Sequence, residues 1–183
     1  MWRFNRHLCL LFVWGSLTAC APLLTPEDEG TQAQLAGVWV ARIPDAVGQY
    51  ARFQLFRALK SEEQTRHAYR LYVTLKSEKR LLAPSPQGLA SRYRLQTKAI
   101  YKLQNHKGQT LTEKTLTVSG SYNVMEAHPF SVSTAEKMTE RSNVDALVAN
   151  LYLDLITFFY KKAQEKEGVI RASSTETMVS GTS

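Results

Sequence analysis

The sequence predicts an α+β domain: a two-layer sandwich in which a four-stranded, mostly antiparallel sheet carries two helices on one face. Two patterns predict it. Between residues 69 and 124 apolar and polar residues alternate over three long segments, and a period of two is typical of strands with one buried face. Apolar residues recur at helical spacing in two other segments, before and after these strands, and such stripes can cover a sheet.

Residues 1–19 have the pattern of a secretory leader. Arg3 and Arg6 precede an apolar run of ten residues, which is too short to span a bilayer because a spanning helix needs about 20 residues. The run ends in Leu17-Thr18-Ala19-Cys20. This resembles the bacterial lipobox, in which the cysteine thiol receives a diacylglycerol and the leader is cut before it. We expect covalent lipid on Cys20 and therefore membrane anchoring; an ordinary leader with an unrelated cysteine is the alternative.

The two cysteines fit this interpretation. Cys9 would leave with the leader and Cys20 would become a thioether, so the mature domain would contain neither a free thiol nor a disulfide. Ala21 follows the anchor. Lipoproteins retained at the inner membrane commonly have Asp at that position, so Ala21 favours the outer membrane by analogy.

The formal net charge of +7 becomes +5 when Arg3 and Arg6 are removed with the leader. On charge alone, the partner of such a basic domain could be acidic lipid, a phosphate-bearing glycolipid or nucleic acid. A leader that targets the cell envelope favours phosphorylated glycolipid and argues against nucleic acid.

Three segments precede the long strands: a tether, a short strand and a helix. Residues 20–34 lack an apolar period and contain two prolines and an acidic cluster, which predicts a flexible, lipid-anchored tether. Residues 37–43 are apolar and β-branched, so we expect a first strand that ends at Pro44. Asp45 is then a plausible N-cap for an amphipathic helix that reaches about Ser61.

Three strands and a long helix follow. Each strand could reach about fifteen residues, roughly 50 Å at about 3.3 Å per residue, so the hairpin could project beyond the core. Turn residues separate the strands near Pro84 and Gly88 and again at Asn105-His106-Lys107-Gly108. Ser133 and Glu136 form a capping-box pattern for a helix that runs to about Glu165. We expect the domain to span residues 35–167 and residues 168–183 to form a disordered tail.

The sequence contains no recognisable catalytic or cofactor motif. The four histidines are isolated, and neither a Gly-rich phosphate loop nor a G-x-S-x-G motif is present. We therefore expect a protein that is not an enzyme and holds neither a metal nor a cofactor other than the lipid on Cys20. An enzyme that uses an acidic residue in the loops between strands is the alternative.

Basic residues on the polar faces of the strands are the stronger functional indication. If the strands pair, several cations line up on one surface, and arginine suits bidentate contact with phosphate. A solvated face that protects the sheet from aggregation is the alternative. The candidate binding residues for a phosphorylated glycolipid are Arg70, Lys76, Arg92, Arg94, Lys98 and Lys102.

The order of elements, together with two short motifs, resembles a known family. The strand Leu116-Thr117-Val118-Ser119-Gly120-Ser121-Tyr122-Asn123-Val124 is followed by Pro129-Phe130 and a helix with Leu147 and Ile156. Ile43-Pro44 precedes the first helix, which contains Gln49 and Arg52. These features, over most of residues 36–162, resemble alphaproteobacterial lipopolysaccharide (LPS)-assembly lipoproteins of the LptE type. After Cys20 the match is limited to Pro22-Leu23.

The resemblance implies a lipoprotein that plugs an outer-membrane β-barrel, the LPS-assembly protein, helps it fold, binds LPS and assists LPS delivery to the outer leaflet. It would lie at the outer membrane, facing the periplasm or inside the barrel lumen. No binding residue is transferred by motif, so the basic candidates rest on patterning. The alternatives are an accessory lipoprotein of a phospholipid ABC transport system and a generic anchored scaffold.

Overall fold

The computed structural model describes residues 29–61, 67–84, 90–125 and 129–179. The elements in these ranges are α1 (Glu29–Ala36), β1 (Val38–Val40), α2 (Asp45–Leu59), β2 (Tyr69–Pro84), β3 (Ala90–Asn105), β4 (Thr110–Met125) and α3 (Pro129–Val179). The predicted leader and Cys20 lie outside the described residues.

The sheet has the strand order β1-β2-β3-β4. β1 pairs with β2 in parallel, from Val38 opposite Tyr69 to Val40 opposite Leu71, and α2 provides the crossover that a parallel pair requires. The other two pairings are antiparallel and join strands of 16 residues each. The predicted α+β fold with a mostly antiparallel sheet is therefore confirmed.

The core lies between one face of the sheet and the helices. β2 and β3 contribute odd-numbered residues to this inner face, and β4 contributes even-numbered ones, as the register requires. Each fully buried leucine or phenylalanine contributes about 1.5–3 kcal/mol. The largest buried side chains are Val38, Val40, Ile43, Leu55, Leu59, Leu71, Tyr101, Leu103, Val144, Leu151, Leu155 and Phe159.

A buried amide connects α3 to the centre of the sheet. Asn143 is 2 % exposed, and its Nδ2 donates to the Leu95 carbonyl at 2.9 Å and to Thr97 Oγ1 at 3.2 Å. Thr97 Oγ1 also shares a hydrogen bond of 3.3 Å with Ser77 Oγ. Because a buried polar group without partners is costly, these bonds favour one position of α3 on the strands.

Gly120 provides the space for this contact. A Cβ at Gly120 would lie 2.5 Å from Thr139 Cγ2 and 2.8 Å from Asn143 Oδ1, which is far inside van der Waals contact. The absence of a side chain on β4 therefore lets α3 approach the sheet closely enough for Asn143 to reach the Leu95 carbonyl.

A second polar connection lies further along α3. Tyr101 donates from its hydroxyl to Asp154 Oδ2 at 3.1 Å, and Lys114 Nζ pairs with Asp154 Oδ1 at 3.0 Å. Burial, followed by the nearby Asp154 charge, raises the pKa of the Tyr101 hydroxyl. Asp154 therefore joins β3, β4 and α3 through one carboxylate.

The start of α2 differs from the prediction, because Asp45 is not its N-cap. Pro44 occupies that position without a side-chain cap, and Asp45 has a left-handed φ of 67°. Two side chains of α2 donate hydrogen bonds to backbone carbonyls of the residues that precede the helix. Gln49 Nε2 donates to the Ile43 carbonyl at 2.7 Å, and Arg52 Nε donates to the Val40 carbonyl at 3.3 Å.

Two boundaries in the remainder of the chain also differ. The predicted tether of residues 20–34 overlaps α1, whose Thr31 and Leu35 are buried. α3 begins at Pro129, before the predicted capping box at Ser133, because proline is favoured in the first turn of a helix. It continues past Gly168, where the prediction ended it, to Val179, since one helical glycine costs only about 1 kcal/mol.

Replacing Gly120 with alanine tests the close approach of α3 to β4. We expect Gly120→Ala to lower the free energy of unfolding by about 1–3 kcal/mol, because the new Cβ overpacks against Thr139 and Asn143. Urea unfolding would measure this loss. Ser119→Ala, on the exposed face, is the matched control, and adding Thr139→Ser to Gly120→Ala should recover part of the loss. Equal stability of Gly120→Ala and the parent would contradict the close contact.

Candidate functional site

The second face of the sheet, here called the outer face, consists of even-numbered residues of β2 and β3 and odd-numbered residues of β4. Side chains on it are mostly exposed, whereas those of the inner face are mostly buried or half-buried. All six basic candidates lie on this face: Arg70, Lys76, Arg92, Arg94, Lys98 and Lys102. The alternation in sequence thus places them on one surface.

The strand register brings like charges directly opposite each other at two places on the outer face. Lys76 pairs with Lys98, and Arg80 pairs with Arg94. Like charges at directly opposed positions of an antiparallel pair destabilise a sheet, so a face designed only for solvation would pair cations with carboxylates. These two cation pairs therefore favour a ligand that supplies negative charge.

Arg80 is a member of the face that the sequence analysis did not include. Its position in the chain contained the signal, because Arg80 is an even number of residues from Lys76 and a strand places such residues on one side. Among the described residues the outer face then carries seven cations and two carboxylates, Glu78 and Glu113.

The cations of the outer face are not equally available. Lys102 Nζ lies 3.1 Å from Glu113, and Arg80 lies 2.8 Å from Glu78, so both are partly neutralised. The Arg92 guanidinium donates to Ser121 Oγ at 3.0 Å and keeps its charge uncompensated. In the described part of the chain, no carboxylate forms an ion pair with Lys76, Arg94 or Lys98. The unneutralised charge is therefore concentrated around these residues.

Hydroxyl and apolar groups surround this charge. Thr117 lies opposite Lys98, and Ser121 lies opposite Arg94, which places hydroxyls beside two cations. Ile100 and Tyr72 are 36 % and 41 % exposed on the same face. The surface therefore combines groups that bind phosphate with groups that contact apolar chains, a combination suited to an amphipathic anion.

A cluster on the inner face holds the beginning of α3 against the far end of the sheet. Lys79 Nζ lies 2.7 Å from Glu136 and sits over the Tyr93 and Tyr122 rings, 4.8 and 5.5 Å from their centroids. The hydrogen bond with Glu136 raises the pKa of Lys79, and Lys79 in turn lowers the pKa of Glu136. Burial raises the pKa of Tyr122. The cluster is structural, because its charges compensate each other.

Toward the β2–β3 hairpin, the strands of the sheet differ in how far α3 covers them. Every side chain from Lys76 to Leu82 is exposed on both faces of the sheet, whereas Leu95, Thr97 and Tyr122 on the neighbouring strands are buried under α3. The helix thus buries side chains of β3 and β4 at this end and reaches β2 through the Lys79–Glu136 ion pair.

Within the described ranges, no group of three or more His, Cys, Asp or Glu side chains could hold a metal ion. The described helices also include none that is long and apolar enough to cross a membrane. Of the histidines considered in the sequence, His67 and His106 are described, and His128 lies outside the described residues.

Comparison with known proteins identifies relatives in fold. No family model matches the chain, and no curated protein matches it. A structure described as a candidate lipoprotein from Caulobacter crescentus CB15 superimposes with a TM-score of 0.60 at 20 % identity, covering 71 % of this chain and 96 % of that one. The chain has the fold of that protein.

Two further solved structures share the fold. The minor lipoprotein of Acinetobacter baumannii has a TM-score of 0.51 at 16 % identity, over 67 % of this chain and 94 % of that one. The uncharacterized lipoprotein B of Nitrosomonas europaea has a TM-score of 0.53 at 13 % identity, over 67 % and 83 %. Three bacterial proteins described as lipoproteins or candidate lipoproteins therefore have this arrangement of sheet and helices.

Removing one charge from a cross-strand pair tests the interpretation of the outer face. We expect Lys76→Gln to raise the free energy of unfolding by about 0.2–1 kcal/mol at low salt, because it relieves repulsion with Lys98. Salt screens exposed charges, so the gain should shrink as ionic strength rises. Urea unfolding at two salt concentrations measures both effects.

Lys102→Gln is the matched control, because Lys102 is paired with Glu113 rather than opposed by a cation. It should leave stability unchanged or lower it slightly. If Lys76→Gln proves as neutral as this control at low salt, the outer face stores no electrostatic repulsion.

Proposed function

We propose that this chain is an outer-membrane lipoprotein that plugs and helps assemble an LPS translocon barrel, binds LPS and assists its delivery to the outer leaflet. In this proposal it is not an enzyme. The observation that carries the proposal is the outer face, on which Lys76, Lys98 and Arg94 concentrate positive charge without a described carboxylate partner.

The chemistry of LPS matches this surface. LPS is a glycolipid that combines phosphate groups with acyl chains, and the outer face combines opposed cations with the exposed Ile100 and Tyr72. Arginine binds phosphate in a bidentate manner and lysine acts as a mobile point charge. Binding of an anion would also relieve the repulsion within the two cation pairs, and this relief would contribute to the binding free energy.

The shape of the domain supports the role of a plug. α2 and α3 pack on the inner face, so the outer face is available for a barrel wall or a passing glycolipid. The sequence resemblance to LPS-assembly lipoproteins supports the same role. The fold is also that of proteins described as bacterial lipoproteins, which agrees with an anchored location.

The anchor would hold the domain near the membrane. α1 begins at Glu29, nine residues after Cys20. An extended chain of that length spans at most about 30 Å, so covalent lipid on Cys20 would keep the domain within that distance of the bilayer surface. Several acyl chains on one residue give stable attachment, whereas a single chain gives only reversible binding.

Charge reversal on β3 tests LPS binding. We expect the double substitution Arg92→Glu and Lys98→Glu to weaken LPS binding at least roughly tenfold, because it replaces two attractive groups with two repulsive ones. The far-UV circular dichroism should stay the same, since both side chains are exposed. Lys137→Glu with Lys161→Glu, on the exposed surface of α3, is the control with the same change in charge. Equal affinity of the two double variants would remove the outer face from the proposal.

A pull-down of the full lipoprotein from its native envelope in mild detergent tests the barrel. We expect an outer-membrane β-barrel in stoichiometric amount, identified by mass spectrometry. Recovery of inner-membrane ATPase components instead would support the alternative, an accessory subunit of a phospholipid ABC transport system. Recovery of the lipoprotein alone would contradict the plug.

A further inference from the structure

A cleft opens at the end of the outer face where β1 joins the sheet. It has a volume of about 530 Å³ and is lined by Trp39, Ala41, His67, Arg70 and Tyr72. In the parallel register of β1 and β2, Trp39 lies beside Arg70, so an aromatic ring and a guanidinium are neighbours on one surface. The alanine side chain leaves room between Trp39 and Tyr72.

The residues of the cleft select a particular kind of ligand. Trp39 and Tyr72 offer ring faces that can cover an apolar surface, and the tyrosine is 41 % exposed. Arg70 supplies a permanent positive charge, which would repel the cationic ligands that aromatic cages otherwise favour. An acidic ligand whose ring presents an apolar C–H face satisfies both requirements.

His67 forms part of the wall of the cleft. Both of its ring nitrogens are buried, and neither has a hydrogen-bond partner among the described residues. Because these nitrogens are not accessible, a ligand in the cleft would contact the His67 ring and would find its charged partner in Arg70.

We propose that this cleft binds an anionic sugar, with the sugar ring against Trp39 and Tyr72 and its phosphate or carboxylate at Arg70. Six residues, or about 20 Å of strand, separate Arg70 from Lys76. The cleft is therefore a site distinct from the cation pairs of the outer face. It depends on neither the barrel nor the anchor.

Tryptophan fluorescence provides a local measurement. The chain contains three tryptophans, and two of them, Trp2 and Trp14, lie in the predicted leader, so the mature lipoprotein retains Trp39 alone. Titration with α-D-glucose 1-phosphate and with D-glucuronate should give a saturable change in Trp39 emission. Neutral glucose and inorganic phosphate should bind at least roughly tenfold more weakly, because each satisfies only half of the site.

Two substitutions and one control define the site. Arg70→Gln, at an exposed position, should weaken binding of the sugar phosphate at least roughly tenfold. Ala41→Leu should abolish it by filling the cleft. Lys137→Gln, at an exposed position on α3, should leave it unchanged. The proposal is overturned by a response to inorganic phosphate as strong as that to the sugar phosphate, by unchanged binding in Arg70→Gln, or by no saturable response up to about 10 mM.

A parallel titration with LPS distinguishes two sources of the sugar, a glycolipid headgroup and a free sugar phosphate. A change in Trp39 emission that glucose 1-phosphate reverses supports a glycolipid headgroup as the ligand. A response to the soluble sugar alone supports a free sugar phosphate. LPS could bind in a manner that depends on Arg92 and Lys98 while Trp39 emission responds to no sugar. That result would overturn the cleft proposal and leave the proposed function standing.

Discussion

The hydrogen bonds of Asn143 are the constraint on which the arrangement of α3 depends. The apolar stripe of this helix repeats through Val144, Leu147, Val148, Leu151 and Leu155, and a shift by one turn of about 5.4 Å would still bury apolar groups. The amide removes this ambiguity because its donors reach Leu95 and Thr97 in one position only. Gly120 makes the contact possible, and Asp154 repeats the same device further along the helix.

Because α3 covers only the inner face, the side chains of the outer face do not have to pack in the core. Its residues can then be arranged for a purpose other than stability, and the opposition of Lys76 to Lys98 is an arrangement that lowers stability. The sheet tolerates this because the inner-face contacts and two continuous antiparallel ladders supply the stabilising free energy. A stable core on one side thus permits a surface with opposed positive charges on the other.

The sequence predicted the layers and the composition of each face more reliably than the details of pairing. Alternation alone placed Arg70, Arg94 and Lys98 on one surface, because side-chain direction depends only on parity. The opposition of particular cations depends on register, which turn geometry sets and which composition does not reveal. Parity also placed Arg80 on this surface, but its opposition to Arg94 became visible only in the register.

The predicted boundaries of the helices were wrong for local reasons. α1 has too few buried residues to produce a visible period, and Asp45 has the composition of an N-cap but a left-handed backbone. At the start of α3, Pro129 overrode the capping-box pattern of Ser133 and Glu136. The cleft at Trp39 could not be predicted either, since it depends on the register of β1 against β2.

Because β1 is short, one edge of β2 could contact neighbouring copies of this protein. β1 pairs with only three residues of β2, so the backbone edge of β2 has no described strand partner from Tyr72 onward. Open edges of this length invite the addition of strands from other molecules. Here Lys76 lies along the edge without a described carboxylate partner, and two identical edges would bring two such positive charges together. Anchoring, as proposed, would concentrate copies in the plane of a membrane, where such mutual repulsion keeps neighbouring sheets from joining into fibres.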